Sequence, residues 1–117
     1  MKYMLLIHHV DEIEEGERAQ LLAESVQLCH DLHHNQQYID ASPLHPSTET
    51  ISVKVRDGKR LVTDGPFAET REQIGGYFMV DAKDLEEAIE IAGRIPSARI
   101  GTVEVRPVRV VEGLPKT

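Results

Sequence analysis

The sequence predicts an α+β sandwich of the ferredoxin-like type, a βαββαβ unit with an extra β-hairpin, in a single domain over residues 1–117. The hydrophobic patterns follow the order strand, helix, strand, hairpin, strand, helix, strand, which is typical of two helices packed on one face of a sheet. The segments at 1–9 and 76–81 are apolar on both faces, and two helices can cover only one of them. We therefore expect the second face to pack against a second copy of the chain.

The first third of the chain predicts a buried strand followed by a long helix. Residues 1–9 form a short apolar run, as expected for a strand that is covered on both sides. Helical spacing runs from Glu15 to His34, and Asn35 is expected to end the helix in the left-handed conformation. The core face of this helix is expected to consist of Leu21, Leu22, Leu28, Cys29 and Leu32, with Ser25 between them.

The middle of the chain predicts a short strand and a hairpin. Residues 37–44 form the strand. Residues 50–56 alternate between apolar and polar side chains, which predicts one buried face formed by Ile51, Val53 and Val55. Asp57-Gly58 is a hairpin turn signal, and residues 60–63 are the returning strand.

The last third of the chain predicts strand, helix and strand. Residues 76–81 form a strand, and Asp84 is expected to cap the second helix with Glu87 at the reciprocal position of a capping box. The expected core face of that helix is formed by Leu85, Ala88, Ile89 and Ala92. Residues 103–111 predict the last strand, and Pro107 within it indicates an edge position.

Charge and composition exclude several classes of function. The chain has 20 acidic and 13 basic residues and a formal net charge of −7, which argues against a nucleic-acid-binding protein. One cysteine excludes an intrachain disulfide framework and a Cys-x-x-Cys metal site. The N-terminal apolar run is too short for a membrane span or a signal peptide, and no glycine motif for a nucleotide phosphate occurs. We therefore expect a cytoplasmic protein that has no membrane contact and uses no cofactor.

The segment TDGPFAETREQIGG at 63–76 is the most informative stretch of the sequence. Gly65-Pro66 predicts a rigid turn, and Phe67 is expected to anchor that turn in apolar surface. Charged residues follow in a polar loop at 67–73, which we call the motif loop. Gly75-Gly76 permits close approach of another backbone or a ligand. The segment therefore predicts a rigid turn and a charged loop that lead into a central strand.

This segment resembles the DGPF-motif branch of the YCII-related domain family. The resemblance extends to MKYMLLI at the start, VTDGPFAETREQIGGYF in the middle, and RIPSAR and VEVRPV near the end. It implies a homodimeric α+β barrel of ferredoxin-like subunits, with a site in the cleft near the motif loop, and it supplies no reaction. A more distant branch includes a dehydrochlorinase of chlorinated aromatics described with a His–Asp pair, and some relatives are associated with sigma factors.

Several positions depart from the pattern of the family. Arg71 stands where lysine is usual, which keeps the positive charge and changes the hydrogen-bond geometry. His8 stands where an aromatic residue is common, and Asn35 stands where glycine is common. Ile100 occupies a position where a small residue is common. These departures leave the predicted fold unchanged.

Four residues are candidates for acid–base catalysis. Asp64 is either a general acid or base in the cleft or a carboxylate that holds the Gly-Pro turn. His8 and His9 end the first strand on opposite faces, so one of them should face the dimer cleft, where imidazole moves protons near neutral pH. His45, after the second strand, is a weaker candidate of the same kind. The alternative for these histidines is a polar side chain at a strand end.

Candidates for substrate binding follow in the motif: Phe67, Glu69, Arg71 and Glu72. Arg71 offers a planar set of donors to an anionic group, and the alternative is an exposed charged loop or an ion pair between subunits. His30 and His34 share a helix face, but two ligands do not make a metal site, and we expect none. Cys29 is expected to be a buried, inert thiol.

Three functions are open from the sequence. The first is an acid–base enzyme of the lyase or isomerase kind that acts on a small molecule without a cofactor. The second is a non-catalytic ligand-sensing or regulatory module that uses the same cleft, in the sigma-factor-type setting that the resemblance implies. The third is a scaffold dimer in which the motif is purely structural.

Overall fold

The computed structural model describes residues 1–67 and 71–116, and these form a ferredoxin-like α+β sandwich. Within these ranges the strands are β1 (Lys2–His9), β2 (Tyr38–Pro43), β3 (Ile51–Arg56), β4 (Lys59–Asp64), β5 (Gln73–Asp81) and β6 (Thr102–Pro107). The two helices are α1 (Glu15–His34) and α2 (Leu85–Arg94). Four strands make an antiparallel sheet in the order β2-β5-β1-β6, and β3 and β4 pair separately as a hairpin. The predicted fold class is confirmed.

The hydrophobic core lies between the helices and one face of the sheet. Alternate residues of β1 and β5 point into it, because successive side chains of a strand face opposite sides. The buried members from these strands are Tyr3, Leu5, Ile7, Phe78 and Val80. Helix α1 contributes Leu28 and Leu32, whereas Leu22 is 48% exposed and is wrongly predicted as a core residue.

Helix α2 is rotated relative to the prediction. Ala88 and Ala92 are buried as expected, but Leu85 and Ile89 are half-exposed and Ile91 is fully buried. Two stripes with the spacing i, i+3, i+4, i+7 overlap at the two alanines, so periodicity alone does not choose between them. The stripe that contains Ile91 also contains Ile95, which is buried as well, and this larger apolar pair faces the sheet.

The helix ends follow local hydrogen-bond rules. Asn35 has a φ of −91°, and it is Gln36 that adopts the left-handed conformation, with a φ of 61°. The Gln37 N–H donates to the Leu32 carbonyl over 2.8 Å, which makes a Schellman-type end one residue later than predicted. At α2 the Asp84 carboxylate accepts the Glu87 N–H over 2.9 Å, which confirms the predicted cap.

The β3–β4 hairpin is separate from the main sheet. Asp57 and Gly58 both have positive φ, 51° and 73°, as a two-residue type I′ turn requires. The predicted buried face is wrong, because Val53 and Val55 are 59% and 62% exposed and Val62, opposite Val53, is 56% exposed. The alternating pattern therefore marks an apolar face that nothing in the described residues covers.

Strand β6 lies at the edge of the sheet, as Pro107 predicted. It ends at Pro107 and is shorter than the predicted segment at 103–111. A proline has no N–H to donate, and the Val108 N–H makes the last bond of this edge, to the Lys2 carbonyl over 3.0 Å. The side chains of Val103 and Val105 pack against the core, so Glu104 lies on the opposite, helix-free face.

Candidate functional site

Two clefts lie on opposite sides of the sheet, and the last two residues of β1 contribute to one each. His8 lines a cleft of about 390 Å³ on the helix-free side, which we call the motif-loop cleft. His9 lines a cleft of about 520 Å³ on the helix side, which we call the helix-side cleft. The prediction that these histidines point to opposite faces is thus confirmed, and it follows from the alternation of side chains along a strand.

A bulge in β5 shapes both clefts. Ile7 pairs with Gly76 and His8 pairs with Ile74, so Gly75 is an extra residue in the ladder. A Cβ atom on Gly75 would overlap the imidazole of His9, which lies directly against this backbone. The close approach of another backbone, which the sequence predicted for Gly75-Gly76, occurs at Gly76, where a Cβ atom would lie 2.8 Å from the Ser42 carbonyl oxygen. At Gly75 the neighbouring group is instead the side chain of His9.

His8 is paired with a carboxylate that sequence analysis missed. Its Nε2 atom donates to Glu104 Oε1 over 2.6 Å, across the β1–β6 ladder. The His8 side chain is largely buried and Glu104 is about half-exposed. A carboxylate on one ring nitrogen fixes the tautomer and the orientation of an imidazole, which is the usual support for an acid–base histidine.

The motif-loop cleft brings together three of the predicted site residues, His8, Phe67 and Glu72. Its other lining residues are Leu44, Ser47, Thr50, Ser52, Pro66, Gln73 and Ile74. The expectation that Phe67 anchors the turn in apolar surface is wrong, because 85% of its surface is exposed. The aromatic ring borders the cleft and is not part of the core.

The Gly-Pro turn is held from the root of the hairpin. Gly65 has a φ of 95°, which favours glycine, and its N–H donates to the Thr50 carbonyl over 2.7 Å. The Ser52 hydroxyl donates to the Gly65 carbonyl over 2.6 Å. Asp64 is exposed and lines neither cleft, and its carboxylate has no hydrogen bond or ion pair with the described residues. Its role as an acid, a base or a turn-holding group therefore stays a prediction.

The remaining catalytic candidates lie at the helix-side cleft. The Nδ1–H of His9 donates to the Val10 carbonyl over 2.8 Å, which leaves Nε2 as the acceptor nitrogen. His45 also lines this cleft, and its ring is exposed 3.4 Å from the Glu49 carboxylate. The four predicted catalytic residues are thus spread over three places. Among the described residues His8 has the shorter contact with a carboxylate, 2.6 Å to Glu104 against 3.4 Å from His45 to Glu49.

Arg71 and the helix histidines lie outside the lining of both clefts. Arg71 is exposed and lines neither cleft, and Glu69 lies outside the described residues. On α1, His30 and His34 are exposed. Within residues 1–67 and 71–116 no group of three or more His, Cys, Asp or Glu side chains could hold a metal ion.

Two further side chains pair on the helix-free face. The Tyr77 hydroxyl donates to Asp40 Oδ2 over 2.6 Å, from β5 to the edge strand β2. Because the phenol donates to this carboxylate, the pKa of Tyr77 is raised above its ordinary value. At the helix-side cleft, burial raises the pKa of the Cys29 thiol, which fits the unreactive cysteine that the sequence predicted.

Sequence comparison assigns the chain to a family. The family model for the YCII-related domain matches residues 1–112. The chain belongs to the YCII-related domain family. The chain is also similar to an uncharacterized protein of Rhizobium meliloti (strain 1021), to which it is 30% identical over an alignment of 122 positions that covers 92% of each chain. The match is to the family as a whole, and the DGPF-motif branch stays a prediction. In the part of the chain that the structure describes, no helix is long and apolar enough to cross a membrane.

Proposed function

We propose that this YCII-related protein binds a small molecule in the motif-loop cleft and that His8, oriented by Glu104, performs acid–base chemistry on it. The observation that carries the proposal is the 2.6 Å bond between His8 Nε2 and Glu104 Oε1 at the wall of a cleft of about 390 Å³. A volume in this range is common for small-molecule sites. A histidine with a carboxylate behind it is the standard arrangement for moving a proton near neutral pH.

The chemistry requires only the residues of the chain. Glu104 holds the proton of Nε2, so Nδ1 is the ring nitrogen that accepts a proton from the substrate and returns it. Glu104 also stabilises the imidazolium that forms after the first transfer. In an isomerase the imidazolium returns the proton to a different carbon of the substrate. In a lyase the bond from carbon to the leaving group breaks as the double bond forms, and the imidazolium protonates the leaving group. A His–carboxylate pair can carry out either sequence.

The lining of the cleft favours a small aromatic or apolar substrate that carries a hydroxyl or carbonyl group. Leu44, Phe67 and Ile74 provide apolar surface, and the exposed ring of Phe67 is free to stack on a planar ligand. Ser47, Thr50 and Ser52 also line the cleft. The hydroxyl protons of Ser47 and Ser52 are donated to Asp11 and to the Gly65 carbonyl, so a ligand would use these two oxygens as acceptors. Of the remaining candidates, Asp64 and Arg71 belong to this proposal only if the substrate extends along the motif loop.

We also propose that the protein is a homodimer whose cytoplasmic, single-domain subunits pack through the helix-free side. Met4, Leu6 and Met79 lie on that side with only partial burial, and the hairpin adds the exposed Val53 and Val62. The radius of gyration is 16.1 Å, against about 13 Å for a compact chain of this length. The hairpin is moreover basic in an acidic chain, so a second copy offers the complementary charge.

Deuterium wash-in tests the acid–base proposal without knowledge of the product. A panel of small phenols, aryl ketones and aryl-substituted acids is incubated with the protein in D₂O, and incorporation at carbon is read by NMR. We expect incorporation into at least one compound, reduced about 100-fold or more in His8→Gln and Glu104→Gln. His30→Gln, at an exposed histidine of α1, is the matched control and retains the wild-type rate.

The alternative function is a non-catalytic ligand sensor, in the regulatory setting that the resemblance implies. The hydroxyl oxygens of Ser47, Thr50 and Ser52 favour this alternative, because they can accept hydrogen bonds from a ligand without taking part in catalysis. Saturable changes in the NMR chemical shifts of the cleft amides, without deuterium incorporation into the compound, would support the sensor over the enzyme. A panel that produces neither wash-in nor shifts at this cleft would overturn both, and would favour the scaffold role.

A further inference from the structure

The described lining of the helix-side cleft shares Leu44 alone with the motif-loop cleft and does not include His8. It has a volume of about 520 Å³ and lies between α1 and the half of the sheet formed by β2 and β5. We propose that this cleft binds a small apolar monocarboxylate, whose hydrocarbon part lies against α1 and whose carboxylate pairs with Arg18. The proposal is independent of the motif-loop cleft, which lies on the other face of the sheet.

The apolar walls of this cleft are not covered within the described chain. Ile7 and Phe78 form part of its floor and are buried, as expected for core residues. Three other lining residues, Leu22, Val26 and Leu44, remain about half-exposed although they are large and apolar. Leu22 and Val26 are four residues apart on α1, so they lie side by side, and Leu44 follows β2. An apolar ligand between them would remove this surface from water.

The charge of the lining selects an anion. The chain has 20 acidic residues, yet none of the described residues that line this cleft is an aspartate or a glutamate. Arg18 is the one lysine or arginine in that described lining. The lining also contains the polar residues His9 and His45 and three serines. A carboxylate ligand would therefore meet a cation and no opposing carboxylate on the walls.

Arg18 is positioned and still has donors available. Its Nη2 atom donates to the Asp11 carbonyl over 2.8 Å, which ties the guanidinium to the loop before α1. Among the described residues no carboxylate lies within ion-pair distance of Arg18. The guanidinium has five N–H donors in one plane, so those that remain can bind a carboxylate in the two-point geometry that arginine favours. A single cation suits one carboxylate better than a polyphosphate.

The test uses octanoate and 1-octanol as a matched pair, because they share a hydrocarbon chain and differ in charge. Titration of ¹⁵N-labelled protein is expected to give saturable shifts at residues 18–29 with octanoate, and binding about tenfold or more weaker with 1-octanol. Arg18→Gln should abolish the preference for octanoate, and Arg18→Lys should retain part of it. Arg109→Gln, at an exposed arginine outside the cleft, is the control and should bind as the wild type does.

Cys29 gives a second readout. It is the one cysteine of the chain, it is only partly buried and it lines this cleft. Its raised pKa makes alkylation by iodoacetamide slow, and the rate at alkaline pH, followed by mass spectrometry, reports occupancy. We expect octanoate to slow alkylation in the wild type and not in Arg18→Gln, with both variants showing the same melting temperature without ligand. Equal affinity for octanoate and octanol, an unchanged preference in Arg18→Gln, or shifts confined to residues around His8 would each overturn the proposal. So would the absence of saturable shifts up to millimolar octanoate.

Discussion

His8 Nε2 lies 2.6 Å from Glu104 Oε1, although the two residues are 96 positions apart in the chain. The bond joins the central strand β1 to the edge strand β6 at the end of the sheet that carries the motif-loop cleft. A proton donor at Nε2 leaves Nδ1 as the acceptor nitrogen of the neutral ring, and this assignment can be measured.

We predict that neutral His8 exists mainly as the Nε2–H tautomer, because Glu104 accepts that proton. Long-range ¹H–¹⁵N spectra of the imidazole should show this tautomer in the wild type and a mixture in Glu104→Ala. The free energy of unfolding should change by less than about 1 kcal/mol, because the pair is partly exposed. Arg106→Ala, two residues along β6, is the control, and an unchanged tautomer in Glu104→Ala would refute the assignment.

Gly75→Ala should destabilise the protein by about 1–3 kcal/mol, because the added methyl group overlaps the imidazole of His9. Chemical denaturation measures the change. The matched control is Gly93→Ala, where nothing lies within 4 Å of the new Cβ on α2, and a gain of about 0.5–1 kcal/mol is expected. The double variant Gly75→Ala with His9→Ala should recover part of the loss, and no recovery would show that the ring is not what the methyl group meets.

Because the apolar face of the hairpin is exposed in the single chain, we predict that Val53→Asp dissociates the proposed homodimer. In the proposed homodimer Val53 is covered by the second copy, so a carboxylate there should shift the mass in solution from dimer to monomer. Sedimentation equilibrium at micromolar concentration measures it. Lys54→Asp places the same charge on the other face of β3 and should weaken the dimer less. A wild-type protein that is monomeric in this range would contradict the homodimer outright.

Tyr77 should titrate later than a free tyrosine, because its hydroxyl donates to Asp40 and the phenolate would lie beside a carboxylate. The contribution of this bond to stability is fully present below the ordinary pKa of about 10 and is lost as pH rises through the higher folded-state pKa. Absorbance at about 295 nm follows the three tyrosines of the chain. Asp40→Asn should lower the pKa of the tyrosine that ionises at the highest pH, and Tyr77→Phe should remove that titration step. If the step persists in Tyr77→Phe, it belongs to another residue and the prediction is wrong.

Local patterns predicted most of the fold. The short apolar run at 1–9 predicted a strand with two apolar faces, which is β1. The cap at Asp84 followed from its spacing to Glu87, and Pro107 indicated an edge strand. The bounds of α1 at Glu15 and His34 are as predicted. Each of these features depends on contacts within a few residues, which is why the sequence alone is sufficient.

Only the tertiary structure decided which apolar residues are covered and which polar groups meet. Periodicity could not tell the stripe of α2 that contains Ile91 from the one that contains Ile89, because the choice depends on how the helix packs on the sheet. The alternation in β3 is that of a half-buried strand, yet Val53 is exposed because the hairpin leaves the main sheet. The His8–Glu104 pair could not be predicted, since it requires the register of β6 against β1, which is set by packing across the whole core. The sequence by itself thus determined the elements, the fold class and the family motif, whereas the fold decided that the His8–Glu104 pair lies across two strands and outside the motif.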